Sequence, residues 1–138
     1  MGTRCKIAYQ KENKVECITC LNDGAFENIG KKLATIYNTD KYVSMIMNRG
    51  DLVVLGTNLR KFDKEKNASG TVDNYQLNKK KIAKKIYNDI SDLLVEDTES
   101  LYIYYFNNGL WSGMEVYDDK GKLKPYLSEF VDLNSKIA

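Results

Sequence analysis

The first part of the chain alternates between apolar and polar positions in a way that predicts a β-hairpin. Residues 5–10 and 15–21 are rich in apolar and β-branched side chains, and the polar segment 11–14 separates them. Two such runs around a short polar turn are typical of paired antiparallel strands. This register places Cys5 opposite Cys20, and alternation then puts both thiols on one apolar face of the hairpin.

The cysteine spacing does not point to a metal site. Cys17 and Cys20 form a Cys-x-x-Cys sequence, but residues three positions apart in a strand face opposite sides of the sheet and cannot share one ion. We therefore expect ordinary buried thiols at this motif rather than a metal or redox centre.

A three- and four-residue spacing of apolar positions predicts helices in four places. They are an amphipathic helix over residues 26–38, a shorter one, a long one over about 76–95 and a final short one after Pro125. Thr39 or Asp40 can cap the shorter helix, which runs through Tyr42, Val43, Ile46 and Met47 and is closed by Gly50. Gly30 lies inside the first helix, where glycine costs about 1 kcal/mol relative to alanine. A glycine in that position suggests the close approach of another backbone.

The long predicted helix carries its charges in an unusual order. Its N-terminal half holds a group of lysines, at Lys79, Lys80, Lys81, Lys84 and Lys85, whereas its acidic residues lie toward the C-terminus. This order is opposite to the one that the helix dipole favours. Either the lysines form a solvated face, or they bind an anionic partner together with the helix N-terminus. The sequence leaves both interpretations open.

A second hairpin is predicted around the Asn-Gly pair at positions 108 and 109. Residues 101–106 and 110–117 flank this pair, and Asn-Gly is the strongest short signal for a two-residue turn. Alternation sorts the flanking side chains onto two faces. One face has the composition of a core and comprises Leu101, Ile103, Tyr105, Met114 and Val116; the other gathers the aromatic residues Tyr102, Tyr104, Phe106 and Trp111. The aromatic face is either an exposed binding surface or a surface buried beneath the helices.

Together these elements predict an α+β fold in a single domain over residues 1–138. We expect an antiparallel sheet of four or five strands, built on the two hairpins, packed against two main helices and one or two short helices. A short strand or turn over 51–55 precedes a polar excursion on the surface over 57–74.

Composition and charge narrow the classes of function. The net charge of +2 does not suit a general nucleic-acid binder, which is usually far more basic. The chain contains no histidine, the commonest general base and metal ligand, so we expect no metal, no cofactor and no enzymatic activity. It has no long apolar run and no signal-peptide pattern, so we expect a cytoplasmic protein that does not bind membranes.

The opening of the chain carries an ordered series of motifs. Met1-Gly2-Thr3-Arg4 precedes the first strand, Asp23-Gly24 follows the second, and Gly30 and Gly50-Asp51-Leu52 come next. Over roughly the first 60 residues, this series resembles a family of small bacteriophage and prophage proteins. The resemblance implies an origin in a mobile element, a location in the bacterial host cytoplasm and interference with host processes, including immunity. Arg4 and Asp23 then either pair structurally at the hairpin end or hold a ligand.

These features are compatible with three functions. In the first, the protein is a non-enzymatic antagonist of host defence, which binds and occludes a host protein effector through an aromatic surface of the kind enriched in interfaces. In the second, it is a sponge for a nucleotide messenger or short nucleic acid, with bases stacked on the aromatic face and phosphates neutralised by the lysines and Arg4. In the third, it is a small enzyme that works without metal or histidine chemistry. A homo-oligomer is compatible with each function.

Overall fold

The computed structural model describes residues 3–56, 75–76, 84–96, 100–116 and 130–137. The strands are β1 (Cys5–Lys11), β2 (Lys14–Cys20), β3 (Leu52–Val54), β4 (Tyr75–Gln76), β5 (Lys85–Tyr87), β6 (Tyr102–Asn107), β7 (Leu110–Glu115) and β8 (Val131–Asp132). A π-helical turn, Phe26–Gly30, runs directly into α1 (Lys31–Thr35), and the other helices are α2 (Asp40–Met47), α3 (Ile90–Glu96) and α4 (Leu133–Ile137). This content confirms the predicted α+β class. In the part of the chain that the structure describes, no helix has the length and apolar character needed to cross a membrane.

The strands form one mixed sheet in the order β4-β3-β2-β1-β6-β7-β8, with β5 beside the first half of β2. β1 runs parallel to β6 and β2 runs parallel to β3, whereas the other pairs are antiparallel. The predicted antiparallel sheet of four or five strands therefore holds only coarsely, because the sheet is mixed and has more strands. Parallel strands need a connection that crosses over the sheet, and such a connection leaves no mark on the local alternation from which the hairpins were predicted.

Both predicted hairpins and their registers are confirmed. In the first hairpin, Cys5 lies opposite Cys20. In the second hairpin, Phe106 lies opposite Trp111, in agreement with the predicted alternation. The second turn has two successive residues with positive φ, 54° at Asn108 and 77° at Gly109. This is the conformation that an Asn-Gly pair favours.

The helix predictions hold in part. α2 confirms the predicted shorter helix, and of the two candidate caps Thr39 is the one whose hydroxyl accepts a hydrogen bond from the Tyr42 N–H, at 3.3 Å. The helix predicted over 26–38 is shorter and opens with the π-helical turn. Of the final helix predicted after Pro125, residues 126–129 lie outside the described residues. Val131, predicted to be helical, lies in the short strand β8, and α4 begins at Leu133.

The long helix predicted over 76–95 is wrong for the described residues before α3, and residues 77–83 lie outside the described residues. Gln76 lies in β4, and residues 85–87 form β5, which pairs with β2 and is followed by the shorter helix α3. Asp89 marks the start of α3, because its Oδ1 accepts a hydrogen bond from the Asp92 N–H at 3.0 Å. Upstream of this cap, strand pairing with β2 outweighs the helical spacing of the apolar residues, since tertiary contacts override a weak local propensity.

Apolar side chains are buried on both faces of the sheet. The π-helical turn, α1, α2 and α4 cover one face. Ile7 and Ile18 of the sheet are buried there together with Leu33 of α1. α3 covers the other face, whose buried side chains include Ala8 and Ile103. We refer to these as the α1 face and the α3 face.

Gly24 packs tightly against the start of β1. Its N–H donates to the Thr3 carbonyl at 2.9 Å, and a Cβ on it would lie 2.7 Å from that oxygen and 2.9 Å from the Cys5 Cβ. A side chain at this position would therefore push two chain segments apart. Gly30, where we predicted the approach of another backbone, faces side chains instead, since a Cβ there would lie 3.3 Å from the Leu133 Cδ1.

We expect Gly24→Ala to lower the free energy of unfolding by about 1–3 kcal/mol, because the added methyl group overpacks a contact with backbone atoms. Urea unfolding followed by circular dichroism measures the difference. Lys31→Ala, at an exposed position of α1, is the matched control and should change the stability by less than about 0.5 kcal/mol. Equal stability of Gly24→Ala and the wild type would show that the Thr3 contact does not constrain the fold.

Candidate binding surface

The aromatic residues predicted as a binding face belong to the core. Tyr104 and Phe106 are fully buried, Trp111 is only 5% exposed, and Tyr102 is half-buried. All four lie on the α1 face, which is the second of the two arrangements that the sequence left open. The predicted alternation is correct, but both faces of this hairpin are covered because α3 packs against the other one.

The polar atoms of two of these side chains have internal partners. The Tyr104 hydroxyl donates to the Gly24 carbonyl at 2.6 Å, and the Trp111 Nε1–H donates to the Tyr37 carbonyl at 2.7 Å. The rings also pack on one another, with the centroids of Phe106 and Trp111 5.0 Å apart. These contacts tie the second hairpin to the π-helical turn and to the segment between α1 and α2.

Trp111 is the only tryptophan of the chain, so its fluorescence reports directly on this cluster. We expect emission at short wavelength that nucleotides do not change, because the indole is buried and its N–H is already hydrogen-bonded. Titration of the native protein with nucleotides and short oligonucleotides tests this. Unfolding in urea is the positive control and should shift the emission to longer wavelength. Quenching by a nucleotide would contradict the assignment of Trp111 to the core.

The buried hydroxyl of Tyr104 makes stability depend on alkaline pH. Burial raises the pKa of Tyr104 far above its ordinary value, and the neighbouring Cys5 adds to the effect. In the unfolded chain the same hydroxyl ionises near its ordinary pKa of about 10. Above that pH the folded state holds more protons than the unfolded state, so stability falls as pH rises. Burial also raises the pKa of Tyr102 and Tyr105, which adds to the same fall.

We expect the free energy of unfolding to decline above pH ~10, with Tyr104 contributing up to about 1.4 kcal/mol per pH unit. Tyr104→Phe should decline less steeply, although it starts lower because it lacks the hydrogen bond to Gly24. Urea titrations at a series of alkaline pH values measure both slopes. Lysine ionisation affects both proteins alike and cancels in the comparison. Parallel slopes would show that Tyr104 ionises equally in the folded and unfolded states.

Among the residues that the structure describes, the lysines predicted to bind an anion do not form a cationic site. Lys79, Lys80 and Lys81 lie outside the described residues. Lys84 precedes β5, and its Nζ lies 3.2 Å from the Oε2 of Glu16, a buried carboxylate of β2. Lys85 pairs with Glu96 of α3. Both described lysines therefore have carboxylate partners within the fold.

Arg4 and Asp23 stabilise the hairpin end through their backbones. The Arg4 carbonyl accepts a hydrogen bond from the Leu101 N–H at 3.0 Å, and the Asp23 carbonyl accepts one from the Ile29 N–H at 3.1 Å. Asp23 adopts a φ of 60°, a conformation that aspartate tolerates better than most residues. Both side chains are exposed. The structural role that these contacts show belongs to the two backbones, whereas a pair between the two side chains, or a ligand held by them, stays a prediction.

The parallel pairing of β1 with β6 creates a different surface. Because the two strands run in the same direction, the turns that follow them, 11–14 and 107–110, lie side by side at one end of the sheet. We call these residues the hairpin-tip surface. All of them are exposed except Asn107, which is half-buried.

One glutamine fastens the first of these turns. The Gln10 Nε2 donates to the carbonyls of Glu12 at 2.9 Å and Lys14 at 3.3 Å, and its Oε1 accepts a hydrogen bond from the Tyr105 hydroxyl at 2.6 Å. The Lys14 Nζ in turn donates to the Asn88 Oδ1 at 2.7 Å. The first turn is thereby tied to β6 and to the segment after β5, so the two turns are held in a fixed relation.

The hairpin-tip surface combines an apolar side chain with charged and amide groups. Leu110 is 66% exposed and directly follows the Asn108-Gly109 turn, while Lys11 and Asn13 are exposed on the neighbouring turn. An apolar anchor surrounded by polar groups on a rigid scaffold is suited to binding another protein. Among the residues that the structure describes, no group of three or more Cys, Asp or Glu side chains could hold a metal ion.

This surface was not predicted from the sequence. Its local signal is Leu110, an apolar residue placed beside a two-residue turn where it has little chance of burial. The Asn-Gly pair by itself predicts only a turn. That the two turns adjoin follows from the β1–β6 pairing, which joins residues distant in sequence.

Comparison of the chain with protein-family models, with curated proteins and with solved structures finds no match. The function is therefore inferred from the described residues and from the motifs at the start of the chain.

Proposed function

We propose that this protein is a small phage-type accessory protein, without enzymatic activity, that antagonises host defence by binding and occluding a host protein effector. The observation that carries this proposal is the hairpin-tip surface, in which two fastened turns present the exposed Leu110. The motif series at the start of the chain supports a phage origin, and the bacterial cytoplasm is where such an effector would be met.

Preorganisation is the physical reason why this surface suits binding. Ordering flexible loops on association costs free energy, and only the surplus over that cost appears as affinity. The hydrogen bonds of Gln10 and Lys14 hold the first turn before any partner arrives. The Asn-Gly conformation holds the second turn in the same way.

A stable interface must extend beyond the tips. A standard interface buries about 800 Å² on each partner, which is more than two short turns supply. The exposed Asp89 lies near Tyr105 and extends the surface toward the start of α3. Lys11 and Glu12 of the first turn and Asp89 then add charges of both signs to this surface, and such charges contribute to specificity and association rate more than to affinity.

A nucleotide sponge is an alternative with less structural support. Stacking of bases requires exposed aromatic rings, whereas Tyr104, Phe106 and Trp111 are in the core. The charge of Lys84 is balanced by Glu16. A small enzyme has no specific support either, since the chain contains no histidine and its three cysteines are buried.

The proposal is tested first by purifying the tagged protein from phage-infected, defence-carrying cells and recording native mass spectra of what co-purifies. A host protein in fixed stoichiometry, whose activity falls when the two purified proteins are mixed, would support occlusion. A bound nucleotide would support the sponge instead. A mass that is a multiple of the chain would show a homo-oligomer.

We expect Leu110→Asp to weaken binding to the purified host protein by about tenfold or more, equivalent to about 1.4 kcal/mol, because it removes the apolar anchor. Isothermal titration calorimetry measures the affinity. Val95→Asp is the matched control, since Val95 is 83% exposed but lies near the C-terminal end of α3. The proposed surface reaches only Asp89, which precedes the start of that helix. That variant should bind like the wild type. Equal losses in both variants, or none in either, would place the interface elsewhere.

A further inference from the structure

We propose that Cys5 and Cys20 form a redox-active dithiol, which hydrogen peroxide converts into a reversible intramolecular disulfide. The two residues lie opposite each other on β1 and β2, share the α1 face and are both 0% exposed. Cys17 lies on the α3 face and takes no part in the pair. This proposal does not depend on the proposed function.

The backbone sets the distance between the two cysteines. The Thr19 N–H donates to the Asp51 Oδ1 at 2.8 Å, so it points away from β1. Alternation along β2 then turns the N–H and C=O of Cys20 toward Cys5, which makes the two residues a hydrogen-bonded pair of the antiparallel ladder. The Cα atoms of such pairs are about 5.5 Å apart, within the range that a disulfide spans. The bond can therefore form without a change of register.

The two thiols differ in reactivity. The hydrogen bond from Cys5 lowers the pKa of Cys20, helped by backbone groups of Asn22 and Leu55 and by the charge of Lys32, while burial opposes the shift. Burial raises the pKa of Cys5 well above its ordinary value. Cys20 is also the last residue of β2, and its Sγ lies beside the backbone of the half-exposed Asn22. Its position at the strand end, together with this shift, assigns Cys20 as the thiol that attacks the oxidant and Cys5 as the resolving thiol.

Access to Cys20 requires only a local opening. Cys20 is the last residue of β2, and its Sγ lies 3.5 Å from the carbonyl oxygen of Asn22, a half-exposed residue. Opening of the short connection over 21–24 would expose the sulfur while the rest of the sheet stays folded. Because this opening precedes reaction, oxidation should be slower than that of an exposed thiol with the same pKa.

The chemistry balances with hydrogen peroxide as the oxidant. The Cys20 thiolate attacks one peroxide oxygen, so an S–O bond forms, the O–O bond breaks and hydroxide leaves to take up the proton that Cys20 lost. The Cys5 sulfur then attacks the Cys20 sulfur, forming the S–S bond and breaking the S–O bond, and the departing hydroxide takes the Cys5 proton. Overall, two thiols lose two electrons and two protons while one peroxide becomes two waters.

Geometry also makes this disulfide easy to reduce. The Cβ atoms of directly opposed residues are about 4.5–5.5 Å apart, whereas a disulfide needs about 3.5–4.5 Å. Closing the bond draws the strands together and stores strain, and strained disulfides have more oxidising potentials than structural ones. A thiol reductant should therefore restore the dithiol in the folded protein.

The test is exposure of the reduced, folded protein to hydrogen peroxide, followed by alkylation, proteolysis and tandem mass spectrometry. We expect loss of two hydrogen atoms from the intact mass, a cross-link between Cys5 and Cys20, and one remaining alkylated thiol at Cys17. Dithiothreitol should restore the original mass without unfolding. A folded protein without this cross-link, or one in which Cys17 is the linked residue, would overturn the proposal.

Single variants test the order of attack. Cys17→Ala is the matched control and should form the same cross-link as the wild type. In Cys5→Ser, whose hydroxyl can replace the hydrogen bond from Cys5, Cys20 should accumulate as a sulfenic acid that dimedone traps, whereas in Cys20→Ser, Cys5 should remain a thiol. Oxidation of Cys5 in Cys20→Ser, with Cys20 inert in Cys5→Ser, would overturn the assigned order of attack. Circular dichroism identifies any variant that fails to fold, and the wild-type cross-link then decides the outcome.

Discussion

The parallel pairing of β1 with β6 is the contact on which the rest of the structure depends. Each hairpin is a local unit, and an isolated two-stranded hairpin is only marginally stable in water. The pairing sets Ile7 beside Tyr104 and Tyr9 beside Phe106, and it joins the hairpins into one sheet. The sheet then presents two apolar faces for helices to cover, so neither hairpin can be understood alone.

This pairing also explains why aromatic residues that resemble a binding face are core residues. Tyr9, Phe106 and Trp111 lie in a row across three strands, with ring centroids 5.9 Å and 5.0 Å apart. The Tyr9 hydroxyl donates to the Asp40 Oδ1 at 2.9 Å, at the start of α2. Burial of one large apolar side chain contributes roughly 1.5–3 kcal/mol, so this row contributes substantially to stability. The row therefore belongs to the core, and the exposed Leu110 lies beyond it at the end of the second hairpin.

The two ends of β1 then differ in chemistry. Lys11, at the last position of β1, belongs to the hairpin-tip surface. Cys5, at the first position, faces the Cys20 thiol. At about 3.3 Å per residue, these ends are roughly 20 Å apart. Oxidation of the thiols would therefore act on the packing around Gly24 and the π-helical turn, without direct contact with the residues that we assign to binding.

Some of this organisation could be predicted because its causes are local. Alternation of apolar residues determined the two hairpins, and the turn chemistry of Asn108 and Gly109 determined the register of the second. The shorter helix, with Thr39 or Asp40 as its cap, was likewise predicted, and the structure shows the Thr39 hydroxyl in that role. Apolar spacing also placed Cys5 opposite Cys20, although it could not show how the surroundings distinguish the two thiols.

The tertiary structure alone decided the strand order, the covering of both sheet faces and the location of the hairpin-tip surface. An aromatic face reads the same in the sequence whether helices or solvent lie over it, so Tyr104 and Trp111 could not be assigned in advance. The apolar spacing upstream of Asp89 fitted a helix until pairing with β2 made it a strand. The sequence by itself thus determined interactions between near neighbours along the chain. The structure decided those between distant residues, because the free energy of strand pairing and face burial depends on partners that local patterns do not encode.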